Sequence, residues 1–96
     1  MPILNDIKTV LRISNTAYDT EITDLISAAR SDLMLAGILP SKANNDTDPL
    51  IKRAITVYVK AHFGWNNPDS EKLQQSYEML KRHLSLSQEY TKEAVG

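Results

Sequence analysis

The sequence contains no cysteine and only three glycines among its 96 residues. Without cysteine there is neither a disulfide framework nor a thiol nucleophile. Gly37 and Gly64 follow apolar helical patterns at positions where a helix would end, and Gly96 is the last residue, so no glycine-rich loop could cradle a phosphate. These absences exclude thiol chemistry and loop-based nucleotide binding.

The sequence also lacks an apolar run long enough to cross a bilayer, and no basic segment precedes an apolar one near its N-terminus. We therefore expect a soluble, unsecreted protein with no membrane partner. Neither sign of charge dominates, because 11 Lys and Arg balance 12 Asp and Glu for a net charge of −1. Nucleic-acid binders usually carry a basic face, so this balance argues against extensive phosphate binding. The 42% hydrophobic content is enough for the core of one domain.

Four segments show the apolar spacing of amphipathic helices, at about residues 5–11, 19–36, 48–63 and 68–84. The sequence therefore predicts an all-α fold, a small bundle of four helices, with the widest apolar arc on the third. Residues 85–96 show no sustained period and few apolar side chains. We predict a helical domain over residues 1–84 followed by a flexible tail over residues 85–96.

Capping residues mark the predicted helix boundaries. Asp19 is a suitable N-cap for the second helix, and Gly37 is the expected residue of positive φ at its end. Ile38 would then fold back onto Leu33. Asp48, followed by a proline, is expected to cap the third helix, and the turn-rich segment 41–48 is expected to be an exposed connection.

Catalytic chemistry is hard to find in this sequence. His62 and His83 have no second histidine at the spacing that places two metal ligands on one helix face. The acidic residues of the second helix are better explained by a solvated face than by a catalytic pair. We therefore expect no enzymatic activity, no cofactor and no metal.

A basic arc on the third helix offers an alternative function. Lys52, Arg53 and Lys60 share its polar side. This arrangement would suit a small helical module that binds DNA or acts as a regulator. A helix-turn-helix needs a tight turn before its recognition helix, whereas the connection here spans about ten residues. A solvated face is the favoured interpretation, and the alternative stays open.

Several side chains lie off the apolar stripes and are candidates for contacts with another subunit. Trp65 follows the Gly64 stop, where it would either fold back onto its own helix or act as an aromatic anchor for a neighbour. Leu86 and Tyr90 are four residues apart, so the tail could present both on one side if it became ordered on assembly. The full set of candidate interface residues is Met34, Leu35, Asn44, Asn45, Trp65, Leu86 and Tyr90.

A resemblance to a known family emerges from the order of these segments. The sequence reads IKTVLRI (7–13), an acid at Asp19, ITDLISAARSDL (22–33) before Gly37, a proline-capped helix with IKRAITVYVKAHFGW (51–65), and a last helix after NNPD (66–69). This order resembles the gp6-like family of head-tail connector (adaptor) proteins of tailed bacteriophages. The resemblance extends to about Leu84.

The resemblance implies a structural function. Such a protein would form a ring of identical subunits, and the family leads us to expect a dodecamer. The ring would lie in the virion neck and would be assembled in the bacterial host cytoplasm. Its partners would be further copies of itself, the portal protein and tail or head-completion proteins, while DNA passes through without sequence-specific binding. A closed ring needs heterologous contacts, in which one patch meets a different patch on the neighbour.

Overall fold

The structure, a computed structural model, describes residues 2–64 and 67–93. Within these ranges all regular structure is helical, which confirms the predicted all-α bundle. The six helices are α1 (Pro2–Leu11), α2 (Asp19–Leu35), α3 (Pro40–Ala43), α4 (Pro49–His62), α5 (Ser70–Ser85) and α6 (Gln88–Thr91). The four longer ones correspond to the four predicted helices, and α1 begins three residues earlier than expected.

Helix α4 is the centre of the bundle and packs against α1, α2 and α5. Its wide apolar arc predicted this position. Val59 is fully buried in this helix, whereas Leu50 is half exposed. Lys52 lies seven residues before Val59 on the same face and pairs with Asp6 of α1 at 2.6 Å. Helix α1 therefore covers the side of α4 on which Val59 lies.

The predicted end of α2 is confirmed in detail. Gly37 has a φ of 102°, and its N–H donates to the Met34 carbonyl oxygen at 3.0 Å. The Ile38 N–H donates to the Leu33 carbonyl oxygen at 3.1 Å, and the Ile38 side chain is buried. These two bonds form a Schellman motif, which satisfies carbonyl groups that the last turn leaves without partners.

The predicted start of α4 is also confirmed. Asp48 Oδ1 accepts hydrogen bonds from the backbone N–H groups of Leu50 at 2.9 Å and Ile51 at 3.3 Å. Pro49 occupies the first helical position, where a missing N–H leaves no carbonyl unpaired.

Helix α2 begins at Asp19 as predicted, but its capping residue differs, and α5 begins two residues later than expected. The N-cap of α2 is Tyr18, while the Asp19 carboxylate lies 2.7 Å from Lys8 Nζ of α1. Helix α5 begins at Ser70 rather than residue 68, because Asn67 Oδ1 accepts from the Asp69 N–H at 3.0 Å and closes a turn before the helix.

The connection over residues 41–48 is only partly the exposed loop that the sequence analysis expects. It begins inside α3, and the Ala43 side chain is fully buried. Arg30 of α2 donates to the Ala43 carbonyl oxygen at 2.9 Å and forms an ion pair with Asp46. The Arg30 side chain therefore fixes the connection in place. This contact joins residues far apart in sequence, so the turn-forming residues alone do not predict it.

Residues 85–91, which belong to the predicted tail, pack on the bundle. Tyr90 in α6 is 5% exposed, and its backbone carbonyl accepts from the Leu39 N–H at 2.9 Å. The Tyr90 hydroxyl donates to Asp48 Oδ1 at 3.1 Å. Burial and this hydrogen bond raise the pKa of Tyr90 to about 12. These contacts join residues far apart in sequence, so a search for local periodicity misses them.

None of the helices in the described residues combines the length and apolar character that crossing a membrane would require.

Candidate assembly surface

The predicted interface residues divide into exposed and packed side chains. Leu35 is 87% exposed and Leu86 is 77% exposed, whereas Met34 is partly buried against the core and Tyr90 is buried. Trp65 lies outside the described residues. For a contact with another subunit, Leu35 and Leu86 are therefore available, and Met34 and Tyr90 serve the subunit's own fold.

The two predicted asparagines support the connection between α3 and α4. Asn44 donates from its side chain to the Pro40 carbonyl oxygen at 2.9 Å. Asn45 Oδ1 accepts from the backbone N–H of Thr47 at 3.0 Å and from its hydroxyl at 2.7 Å. Both amides therefore hold the turn locally, which reduces what they can offer to a neighbouring subunit.

The outer face of α5 contains a residue that the set of predicted interface residues omits. Met79 is 61% exposed and lies seven residues before Leu86, which places the two side chains on one line along the helix. Lys72 lies seven residues before Met79 and is exposed. Gln75 and Arg82 complete this outer face of α5. The seven-residue spacing was visible in the sequence and could have identified Met79.

The inner side of α5 is tied to α2 by a polar network. The Tyr77 hydroxyl donates to Asp32 Oδ2 at 2.6 Å, and Lys81 Nζ lies 3.0 Å from the same oxygen. Lys81 also pairs with Glu78 at 3.2 Å. Partial burial alone would raise the pKa of Asp32, but the hydrogen bonds from Tyr77 and Lys81 outweigh it and lower that pKa. Asp32 is therefore charged at neutral pH and links the two helices.

The same network changes the ionisation of its other members. Burial raises the pKa of Tyr77, and the hydrogen bond to Asp32 raises it further. Burial opposes the charge of Lys81, yet its bonds to Asp32 and Glu78 leave the pKa of Lys81 raised. Each shift favours the protonation state that holds the network together, so these groups are structural, with no proton acceptor among them suited to catalysis near neutral pH.

The outer face of α2 is acidic and otherwise lined by small side chains. Glu21 and Asp24 lie near its start, Ala28 and Ser31 follow, and Leu35 ends it, all of them exposed. Arg30, the helix's only base, is engaged with Ala43 and Asp46 elsewhere. This surface therefore presents negative charge at one end and a leucine at the other.

The basic arc on α4 does not form a continuous cationic surface. Lys52 is neutralised by Asp6 of α1, and Lys60 is partly buried, which leaves Arg53 as the exposed base of the three. Helix α3, which precedes α4, has four residues and is too short to act as the first helix of a helix-turn-helix. The DNA-binding alternative is therefore weakened.

His62 has polar and aromatic partners within the subunit. His62 Nε2 lies 2.8 Å from Gln74 Oε1, and the His62 ring contacts the Tyr58 ring at a centroid distance of 4.4 Å. Across residues 2–64 and 67–93, no group of three His, Asp or Glu side chains is arranged to hold a metal ion.

An open groove lies where the ends of α1 and α4 meet the start of α5. It has a volume of about 390 Å³ and includes Leu11, Lys60, Phe63 and Lys72 in its lining. Phe63 also contacts Tyr18 edge to face at 5.5 Å between ring centroids. Two of its lining residues, Phe63 and Asn67, flank residues 65 and 66 in the sequence, and those two residues lie outside the described part of the chain. We therefore assign it no ligand.

Comparison with known proteins gives one match. A family model described as phage connector protein matches residues 3–91, a span that includes α2 to α6 in full and nearly all of α1. Neither the curated proteins nor the solved structures give a significant match.

Proposed function

The chain belongs to the phage connector protein family, and we propose on this basis that it is a structural head-tail connector (adaptor) protein of a tailed bacteriophage or prophage. The observation that carries the proposal is the family match over residues 3–91. The gp6-like character of the sequence, noted from its order of motifs, is part of the same proposal.

In this proposal the chain forms a ring, a dodecamer by analogy with the family, in the neck of the virion. One side of the ring binds the portal protein and the other side binds tail or head-completion proteins. The exposed apolar residues Leu35, Met79 and Leu86 support a surface that becomes covered on assembly. Heterologous contacts between different faces are the type that closes a ring.

The proposed ring has a mechanical task and needs no active site. It holds two larger assemblies together and leaves a channel through which DNA moves during packaging and ejection. A channel of this kind should not retain phosphate, and the net charge of −1 is consistent with weak contact to DNA. We propose that the protein has no enzymatic activity and binds no cofactor.

A stop codon early in the gene tests this function in the phage or prophage that encodes it. Without the connector, we expect heads and tails to be made but not joined, so that infective particles fall by several orders of magnitude. Electron microscopy of the lysate should show separate heads and tails, and a plasmid copy of the gene should restore joined particles. Normal virions in the absence of the protein would contradict the proposal.

A further inference from the structure

Two exposed helix faces show matching patterns at seven-residue intervals. On α2 the line is Glu21, Ala28 and Leu35, and on α5 it is Lys72, Met79 and Leu86. Seven residues advance an α-helix by nearly two full turns, with a drift of about 20° per step. Each trio therefore lies along one side of its helix, and each step covers about 10 Å. Leu86 is the C-cap and keeps a helical backbone conformation, so it continues the line.

The two lines complement each other when the helices lie side by side and parallel. Glu21 then meets Lys72, the small Ala28 side chain faces the long Met79 side chain, and Leu35 meets Leu86. Reversing one helix would place each charge against a leucine. Pairing either face in parallel with a copy of itself would bring like charges together. The pattern therefore favours contact between two different faces.

The outer face of α5 cannot contact the α2 of its own subunit. Tyr77 and Lys81 are the α5 residues that bind Asp32 of α2. Met79 lies two residues from each of them, which turns its side chain about 160° away from both. Because Met79 is exposed, this face is available to a partner from outside the subunit.

The outer face of α2 is likewise turned away from its own core. The buried residues of this helix are Ile22, Ile26, Ala29 and Leu33. Ala28 and Leu35 lie on the other side of the helix and are exposed. Both faces are therefore free for contacts between subunits.

Charge supports the same pairing. Five ion pairs join described residues of the chain, and neither Glu21 nor Lys72 takes part in any of them. Asp24 lies one turn after Glu21 and adds negative charge near the expected position of Lys72, and Ser31 would face Arg82. The outer face of α2 is acidic and has no free base, whereas the outer face of α5 carries Lys72 and Arg82. The charges of the two faces are therefore complementary.

We infer that the outer face of α2 in one subunit binds the outer face of α5 in the next copy of this chain, with Leu35 against Leu86 and Glu21 against Lys72. The contact is heterologous, so its repetition can close a ring. This inference rests on the proposed connector function, in which the chain forms a ring. It identifies the two surfaces through which neighbouring subunits of that ring would bind.

Site-specific cross-linking tests the contact, because the chain has no cysteine of its own. Leu35→Cys and Leu86→Cys subunits are mixed with portal protein to form rings and treated with a short bis-maleimide. The mixture should give a cross-linked dimer, and each variant alone should give almost none. Arg53→Cys, which places a thiol on an exposed part of α4, is the matched control and should not link to Leu35→Cys.

The outcomes separate the contact from the function. Rings that form on the portal without a Leu35–Leu86 cross-link would overturn the inference and leave the connector function standing. Equal cross-linking of Leu35→Cys with itself or with Arg53→Cys would also overturn it. Failure of the unmodified protein to bind the portal would instead count against the proposed function.

Charge reversal gives an independent readout of the same contact. Glu21→Lys and Lys72→Glu should each weaken self-association by about tenfold, because one attraction becomes a repulsion. The double variant should recover most of this loss, while Arg53→Glu should change association little. Circular dichroism melting checks that all variants fold equally. The predicted pairing would be contradicted if both single variants associated as strongly as the unmodified protein. It would also be contradicted if the double variant associated no more strongly than either single variant.

Discussion

Replacing Leu33 with alanine should strongly destabilise the protein. Leu33 is completely buried in α2, where it packs in the core and its carbonyl oxygen anchors the Schellman motif at the helix end. Truncating a buried leucine removes its packing and leaves a cavity, at a cost of about 2 to 5 kcal/mol. Domains of this size have about 5 to 15 kcal/mol of stability in total, so the loss is severe.

Leu35→Ala is the matched control, because it is the same substitution two residues further along the same helix. Leu35 is 87% exposed, so its removal should change the free energy of unfolding by less than about 0.5 kcal/mol. Urea denaturation followed by circular dichroism measures both variants. Equal destabilisation by the two substitutions would show that the buried face of α2 has been assigned incorrectly.

Replacing Tyr90 with alanine should destabilise the whole domain, although the residue lies in the segment that the sequence analysis assigned to a flexible tail. Tyr90 is buried, and its hydroxyl binds the carboxylate that caps α4. Losing a buried aromatic ring typically costs about 3 to 5 kcal/mol. Tyr90→Phe keeps the ring and loses one hydrogen bond to a charged group, so it should cost about 1.5 to 3 kcal/mol.

Amide exchange on the monomer measures the order of the same segment. If α6 is packed, the Leu39 amide, which donates to the Tyr90 carbonyl oxygen, should exchange slowly. A Tyr90→Ala variant as stable as the parent protein, together with fast exchange at Leu39, would show instead that the segment is mobile until assembly. That outcome would restore the original prediction of an arm that orders between subunits.

The sequence was sufficient to predict those features of the fold that depend on neighbouring residues. Gly37 ends α2 and Asp48 caps α4 because both effects act within one helical turn. The four longer helices follow from apolar spacing, which requires only that one side of each be buried. Asp19 shows the limit, because a residue suited to capping was recruited instead by Lys8 from another helix.

The features that depend on distant residues could not be predicted. Tyr90 was assigned to an interface because its apolar character was visible while its contacts with Leu39 and Asp48 were not. Val59 is fully buried in α4, and this burial depends on the packing of α1 against α4. For the candidate surface, the sequence placed Leu35 and Leu86 off the apolar stripes, but the pairing of their two faces required knowing how α2 and α5 are oriented.

The proposed function also depends on more than the fold. An all-α bundle of this size is compatible with many functions, and the described residues contain no constellation that specifies one by its chemistry. The family match supplies the connector assignment, and the two complementary helix faces supply a physical route to assembly. The central claim that follows is that copies of this chain close into a ring.

Electron microscopy of the purified protein, alone at high concentration and mixed with the portal protein of the same phage, tests that claim most directly. We expect closed rings with one central channel, stacked coaxially on the portal, and a subunit number set by the rotation between adjacent copies. A protein that stays monomeric under both conditions, with no added density on the portal, would contradict the account.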